Sequence, residues 1–351
     1  MLASDLHVHL DGSLRADTLA AMGEEAGLWS EADGPERVRA LRFREGMSLS
    51  SCLARFETTV GLLQTAAALR RVARELVRDC YLDGARHAEI RLCPPLHTRG
   101  GLTAEEVVEA ALAGLDEGGA RLGAGAEPEW LSARLVLSVL EGMGEEEARR
   151  IVGLAIRFRD AGVGGVDLAG DESLFDPAPL SSPFSEARDH GLGVTVHAGE
   201  GHEASHVEAA VRVLGADRIG HGVSAASDAR VLELLAARGV TIEVCLTSNT
   251  QTGAVGSLEE HPLPRMLDAG VPVALATDNR FFSGTTLCRE YDLAAERLSI
   301  GRDDLERMAV TGAAAAFLPE QDRLALAELY RRSLWPGSAA EPRPRPDPGL
   351  S

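Results

Sequence analysis

Aromatic residues are scarce, at 4% of 351 positions, and cations are outnumbered, with 35 Lys and Arg against 54 Asp and Glu. The resulting net charge of -19 argues against nucleic acid as a partner, because binding a polyanion is driven by neutralising its phosphates. A small, uncharged or weakly charged substrate fits such a chain better. Cysteine is sparse as well: Cys52, Cys80, Cys93, Cys245 and Cys288 are odd in number and have no CxxC spacing. Neither a disulfide framework nor a thiolate metal site is indicated, and a reduced cytoplasm is the expected location. No apolar run approaches membrane-spanning length, and the N-terminus shows no basic and apolar leader pattern, so no membrane association is expected. The sequence has no internal repeat and no Gly-rich phosphate loop after its first strand-like run, which removes the main signal for a dinucleotide-binding sheet.

What is present is an ordinary globular composition, 45% hydrophobic and 25% charged, long enough for one large domain. Short β-branched apolar runs recur at 4–10, 85–92, 133–140, 164–169, 193–197, 218–222, 240–246 and 271–277. Most of the segments between them carry Ala, Leu, Glu and Arg at helical spacing, which indicates strand-helix alternation around a parallel sheet. Eight such units predict an α/β fold of the closed (β/α)8 barrel type, with an open doubly wound sheet as the fallback. About seventy residues separate the first two strands, far beyond a normal crossover. Helical patterns at 16–26 and 49–63 make this a helical insertion, about 14–80, placed to overhang the C-terminal mouth as a lid or as simple decoration. The barrel domain is expected over 1–335, with a disordered proline-rich tail at 336–351.

Histidines and carboxylates sit at the ends of four of these strands: Asp5-Leu6-His7-Val8-His9-Leu10-Asp11-Gly12-Ser13, Val196-His197-Ala198-Gly199-Glu200, Ile219-Gly220-His221-Gly222 and Ala276-Thr277-Asp278-Asn279. His7 and His9 are two apart in a strand and so share a face. Alone, that pair reads as two core histidines. With His197, His221 and Asp278 ending other strands on the rim where barrel active sites form, it reads as a metal site. Three imidazoles and a carboxylate suit zinc, with iron and manganese as alternatives and calcium disfavoured. His202-Glu203-Ala204-Ser205-His206 also matches the HExxH pattern of zinc proteases. It starts two residues after Glu200 and lacks a completing downstream pattern, so it is assigned to a solvated helix start. His87, His97, His190 and His261 read as structural or surface residues.

Together these segments resemble the adenosine deaminase family of metal-dependent amidohydrolases. The resemblance runs from about residue 4 to 318 and includes Asp167-Leu168-Ala169-Gly170-Asp171-Glu172, Glu243-Val244-Cys245, Thr247-Ser248-Asn249 and Glu290-Tyr291. It implies a (β/α)8 barrel with one zinc held by His7, His9, His197 and Asp278, Glu200 as proton donor and His221 activating or orienting water. Purine contacts are implied from Gly170 and residue 279, and Asp11 is implied to contact the 5′-hydroxyl of a ribose. The implied reaction is hydrolytic deamination of an adenine nucleoside such as adenosine or 2′-deoxyadenosine. Deaminases of adenine or of modified adenine nucleosides such as aminodeoxyfutalosine are the near alternatives, and often carry Glu where this chain has Asp11. A catalytically inactive nucleoside-binding relative would have lost a ligand or the proton donor, and neither is lost. A lactonase or phosphotriesterase is compatible with the barrel but not with the glutamate of His197-Ala198-Gly199-Glu200 beside the purine segments. One departure stands out: many members have Asp-Asp where this chain has Asp278-Asn279. An amide can donate to purine N7, whereas an ionised Asp can only accept.

Overall fold

The computed structural model describes residues 2–123 and 132–333; the proline-rich tail expected at 336–351 lies outside them. Eight parallel strands form one sheet in chain order: β1 (Ala3–His9), β2 (Ala85–Leu92), β3 (Ser132–Leu140), β4 (Val163–Ala169), β5 (Gly193–Ala198), β6 (Arg218–His221), β7 (Thr241–Val244) and β8 (Val273–Leu275). A bridge between Val8 and Asp278 brings the last strand back to the first. The His9 amide donates to the Asp278 carbonyl and the Asp278 amide to the His7 carbonyl, both at 2.8 Å. The hydrogen bonds that close the barrel therefore run through three of the expected ligand positions.

The eight expected strands all form, and the barrel replaces the open-sheet fallback. The strands are buried on both sides by the outer helices and the interior, which is why they read as nearly continuous apolar runs. At the end opposite the site, Gly193 has no side chain because a Cβ there would lie 2.1 Å from the Phe317 ring. Phe317 is itself capped by the Arg218 guanidinium at 3.5 Å from its centroid.

Between β1 and β2 lie five helices: α1 (Ala16–Glu25), α2 (Gly34–Ala40), α3 (Leu49–Leu53), α4 (Phe56–Leu62) and α5 (Ala66–Leu82). The long amphipathic α5 packs on β2 and on the helix Ala104–Gly123, as a barrel helix does. The shorter helices before it supply Leu49, Cys52, Leu53 and Phe56 to the walls of the cavity at the barrel mouth. Among the described residues no helix is long and apolar enough to cross a membrane.

Candidate active site

The ends of β1, β5 and β8 bring His7, His9, His197 and Asp278 together, with one ligand atom from each within 4.8 Å of all the others. His7 Nε2 lies 3.2 Å from His9 Nε2, which lies 3.3 Å from His197 Nε2. Asp278 Oδ1 is 3.4 Å from both His7 Nε2 and His9 Nε2. The Nδ1–H of His7 donates to Glu243 Oε2 at 3.1 Å, and that of His197 faces Asp167 Oδ1 at 3.1 Å and the Leu168 carbonyl at 3.2 Å. In a neutral ring this leaves Nε2 as a bare lone pair. Burial holds His9 well below the usual histidine range and therefore neutral. Asp278 is held well below the usual carboxylate range, against the cost of burial, by the imidazole of His7 beside it, then by those of His9 and His221. Three imidazole nitrogens and a carboxylate thus converge on one point, a donor set that a cation at their centre would satisfy. The spacings also match the roughly 3.3 Å edge of a tetrahedron with bonds of about 2.0–2.1 Å.

A buried ionic network holds the two donor histidines from behind. Arg91 pairs with Glu243 and, at 3.1 Å, with Asp167; Arg218 bonds Glu243 at 2.6 Å and also pairs with Glu89. Carboxylates that orient ligand imidazoles fix their tautomer and raise their basicity. Glu243 and Asp167 stand at the Nδ1 atoms of His7 and His197 in that way. The sequence did carry a signal for them, since each is a charged residue in the middle of an apolar strand.

Two site residues have strained backbones. His221 (φ 63°) and Asp278 (φ 57°) are, with Ser299, the described non-glycine residues in the left-handed region, a conformation that costs of order 1–3 kcal/mol and clusters at functional sites. The strain lets β6 and β8 turn sharply and aim these side chains inward.

Glu200 follows β5 in a loop fastened by one buried carboxylate. Glu172 accepts from the amides of Gly199, of Glu200 at 3.1 Å and of Gly201 at 2.8 Å. The Glu200 side chain is 8% exposed and lies 3.6 Å from His221 Nε2, while its Oε1 accepts from the Thr252 hydroxyl at 2.9 Å. Burial, then the negative charge of Asp278, raises its pKa to about 8. His221 is 1% exposed and is kept neutral mainly by burial. Ser248 donates to Asp278 Oδ2 at 2.7 Å.

His9, Gly170, His197, Glu200, His221, Asp278 and Asn279 share a cavity of about 60 Å³ under the insertion helices. It adjoins one of about 280 Å³ that contains Asp11, Ser138, Glu141 and Asp171 and shares His9, Phe56 and Gly170 with it. Asn279 is 4% exposed and its Oδ1 has no hydrogen-bond partner. That oxygen packs where a Gly12 side chain would be, 1.7 Å from an ideal Cβ. Only glycine fits at position 12. Gly170 (φ 114°) is likewise held to glycine by its backbone.

The HExxH histidines do not join the ligand group. The helix starts at Ala204, so His202 precedes it and is exposed. His206 is less solvated than expected: its Nδ1 lies 3.2 Å from Glu172 Oε1 and its ring stacks on Phe175. It braces the loop that carries Glu200. Two histidines read as structural also border the site. His97 is buried, with Nδ1 on the Leu63 carbonyl and an unpartnered Nε2 3.8 Å from Asp11. His261 bonds Asn249, which bonds His221. A separate cavity of about 940 Å³, lined by Arg134, Arg188, Arg218 and Arg238 near the strand N-termini, contains none of His7, His9, His197, Glu200, His221 or Asp278.

The adenosine deaminase family pattern matches residues 3–332. The chain is 37% identical over 335 residues to an adenosine deaminase of Mycobacteroides abscessus, covering 92% of this chain and 91% of that one. It is 36% identical to an adenosine deaminase of Klebsiella pneumoniae, covering 92% and 96%. Among solved structures, an adenine deaminase from Arthrobacter aurescens superposes with a TM-score of 0.83 at 25% identity, covering 95% and 98%. An Arabidopsis N6-mAMP deaminase superposes with the same score at 26% identity, covering 95% and 98%. With whole-length similarity in sequence and in fold, this chain belongs to the adenosine deaminase family of hydrolytic deaminases.

Proposed function

We propose that this protein deaminates adenosine and 2′-deoxyadenosine hydrolytically, with one zinc held by His7, His9, His197 and Asp278. The observation that carries the reading is the convergence of three imidazole nitrogens and the Asp278 carboxylate beside the buried Glu200, whose carboxyl is raised to about 8. Zinc bound there would lower the pKa of a water from about 15.7 to about 7 and so supply hydroxide at neutral pH.

The chain's own residues do the rest. Attack of water at C6 pushes electron density onto N1, which needs a proton from a neighbouring acid. The Thr252 hydroxyl occupies Glu200 Oε1, so the acidic proton sits on Oε2, on the side of His221. His221 and Asp278 flank the attacking water from two strand ends, and the insertion helices exclude bulk solvent. With Oδ1 turned to Gly12, the Asn279 amide nitrogen is the atom left to donate to purine N7, and Gly170 leaves room for the base.

The adjoining cavity favours a nucleoside over a nucleotide. Its lining holds Asp11, Glu141 and Asp171 and no Arg or Lys. Both Glu141 oxygens are buried without a partner, and burial followed by the charge of Glu172 raises that carboxyl to about 8. Carboxyl groups suit ribose hydroxyls and oppose a phosphate, which wants cations. Ammonia release from adenosine, 2′-deoxyadenosine, adenine, AMP and aminodeoxyfutalosine tests this assignment. The two simple nucleosides should have the highest kcat/KM, and a preference for AMP or free adenine would overturn it.

A further inference from the structure

His221 sits at the end of a hydrogen-bond chain whose direction is fixed at its far end by the main chain. The Leu263 amide donates to His261 Nδ1 at 3.1 Å. A backbone N–H can only donate, so that nitrogen carries a lone pair. His261 is 2% exposed, and burial lowers its pKa to about 4. The neutral ring therefore has its proton on Nε2, which lies 3.2 Å from Asn249 Oδ1. Asn249 is fully buried, and with Oδ1 accepting from His261, its amide nitrogen is the atom 3.0 Å from His221 Nδ1. An amide N–H can only donate. His221 Nδ1 must accept, which puts the proton of the neutral imidazole on Nε2, the nitrogen that faces Glu200 across 3.6 Å.

We propose that Asn249 and His261 are positioning residues that lock His221 as its Nε2–H tautomer, so that His221 donates a hydrogen bond to the attacking water instead of removing its proton. The proposal rests on the deaminase reading for its chemistry, but the tautomer itself follows from the hydrogen-bond chain alone. In this arrangement the water's lone pair is aimed at C6 by the His221 N–H, and its proton passes to the carboxylate of Asp278, which lines the same cavity, and from there to the C6 amine, which leaves as ammonia when the C6–N bond breaks. The alternative, His221 as general base, needs the opposite tautomer and a hydrogen-bond acceptor at Nδ1, where the chain places a donor. The restriction on orientation matters because a catalytic imidazole held in the wrong tautomer keeps its place and loses its function.

The test is histidine ¹⁵N NMR on the zinc-loaded protein, with the His221 signals identified by their loss in His221→Gln. The expected result is a pyridine-type Nδ1 and a pyrrole-type Nε2 at His221. Asn249→Leu, similar in size and without a donor, should convert His221 to a mixture of tautomers and lower kcat about tenfold or more, with KM within about threefold and zinc retained. A wild-type His221 protonated at Nδ1 would overturn the proposal, as would an Asn249→Leu protein with a single unchanged tautomer and wild-type kcat. A wild type that shows the expected shifts but releases no ammonia from adenosine would count against the deaminase reading and not against the tautomer lock.

Discussion

Glu200 is the residue on which the proposed chemistry turns, and its behaviour follows from where it is buried. A carboxyl raised to about 8 by burial and by the charge of Asp278 is protonated below that pH and ionised above it. A proton donor works only in its protonated form, so kcat/KM should hold at neutral pH and fall as pH rises through about 8. Glu200→Gln keeps the size and a hydrogen bond to N1 but has no acidic proton. Steady-state kinetics should show kcat lowered at least about 100-fold with zinc retained, and near-normal turnover would remove Glu200 from the mechanism. Asn279 works on recognition instead. Replacing purine N7 by carbon leaves its donor unpaired at a cost of about 1 to 3 kcal/mol, so 7-deazaadenosine should be a much poorer substrate than adenosine. Asn279→Leu should weaken turnover of adenosine and shrink that discrimination. Equal kcat/KM for both nucleosides with the wild type would show that Asn279 does not read N7.

At the scale of elements, the site is a set of strand ends, and that is why so much of it was legible. His7, His9, His197, His221 and Asp278 each end an apolar run, and a polar residue there has a strong physical reason to exist. The eight strands were readable for the same reason, since each is buried on both sides. Less legible were the partners. Glu172 holds the Glu200 loop from 27 to 29 positions away, and Asn249, backed by His261, reaches His221 from the connection that follows β7. Such pairings depend on the closed barrel and have no local spacing. The helix that begins at Ala204 shows the reverse case, a spacing with no corresponding site: HExxH needs both histidines on one helical face toward metal, and here His202 precedes the helix while His206 turns to Glu172. Zinc analysis of His202→Ala combined with His206→Ala should still give about one zinc per chain, with some loss of kcat through the Glu172 brace, whereas His197→Ala should lose metal and activity together. Loss of zinc from the double variant alone would make HExxH the metal site.

For the whole molecule, the barrel contributes two things that no segment has alone. Its closure through Val8 and Asp278 brings the first and last strands into one ligand group, and its buried Arg91, Arg218, Glu89, Glu243 and Asp167 network holds that group rigid at one end of a largely apolar interior. The insertion then lines the mouth with Leu49, Leu53 and Phe56, and the pocket beneath holds the raised carboxyl of Glu200 close to Asp278. One such ligand group was found among the described residues, so a single zinc should suffice for turnover. Adding zinc stepwise to chelator-stripped protein while following ammonia release from adenosine tests this most directly. Activity should rise linearly and break at one equivalent per chain; full activity in the stripped protein, or a break at two equivalents, would contradict it.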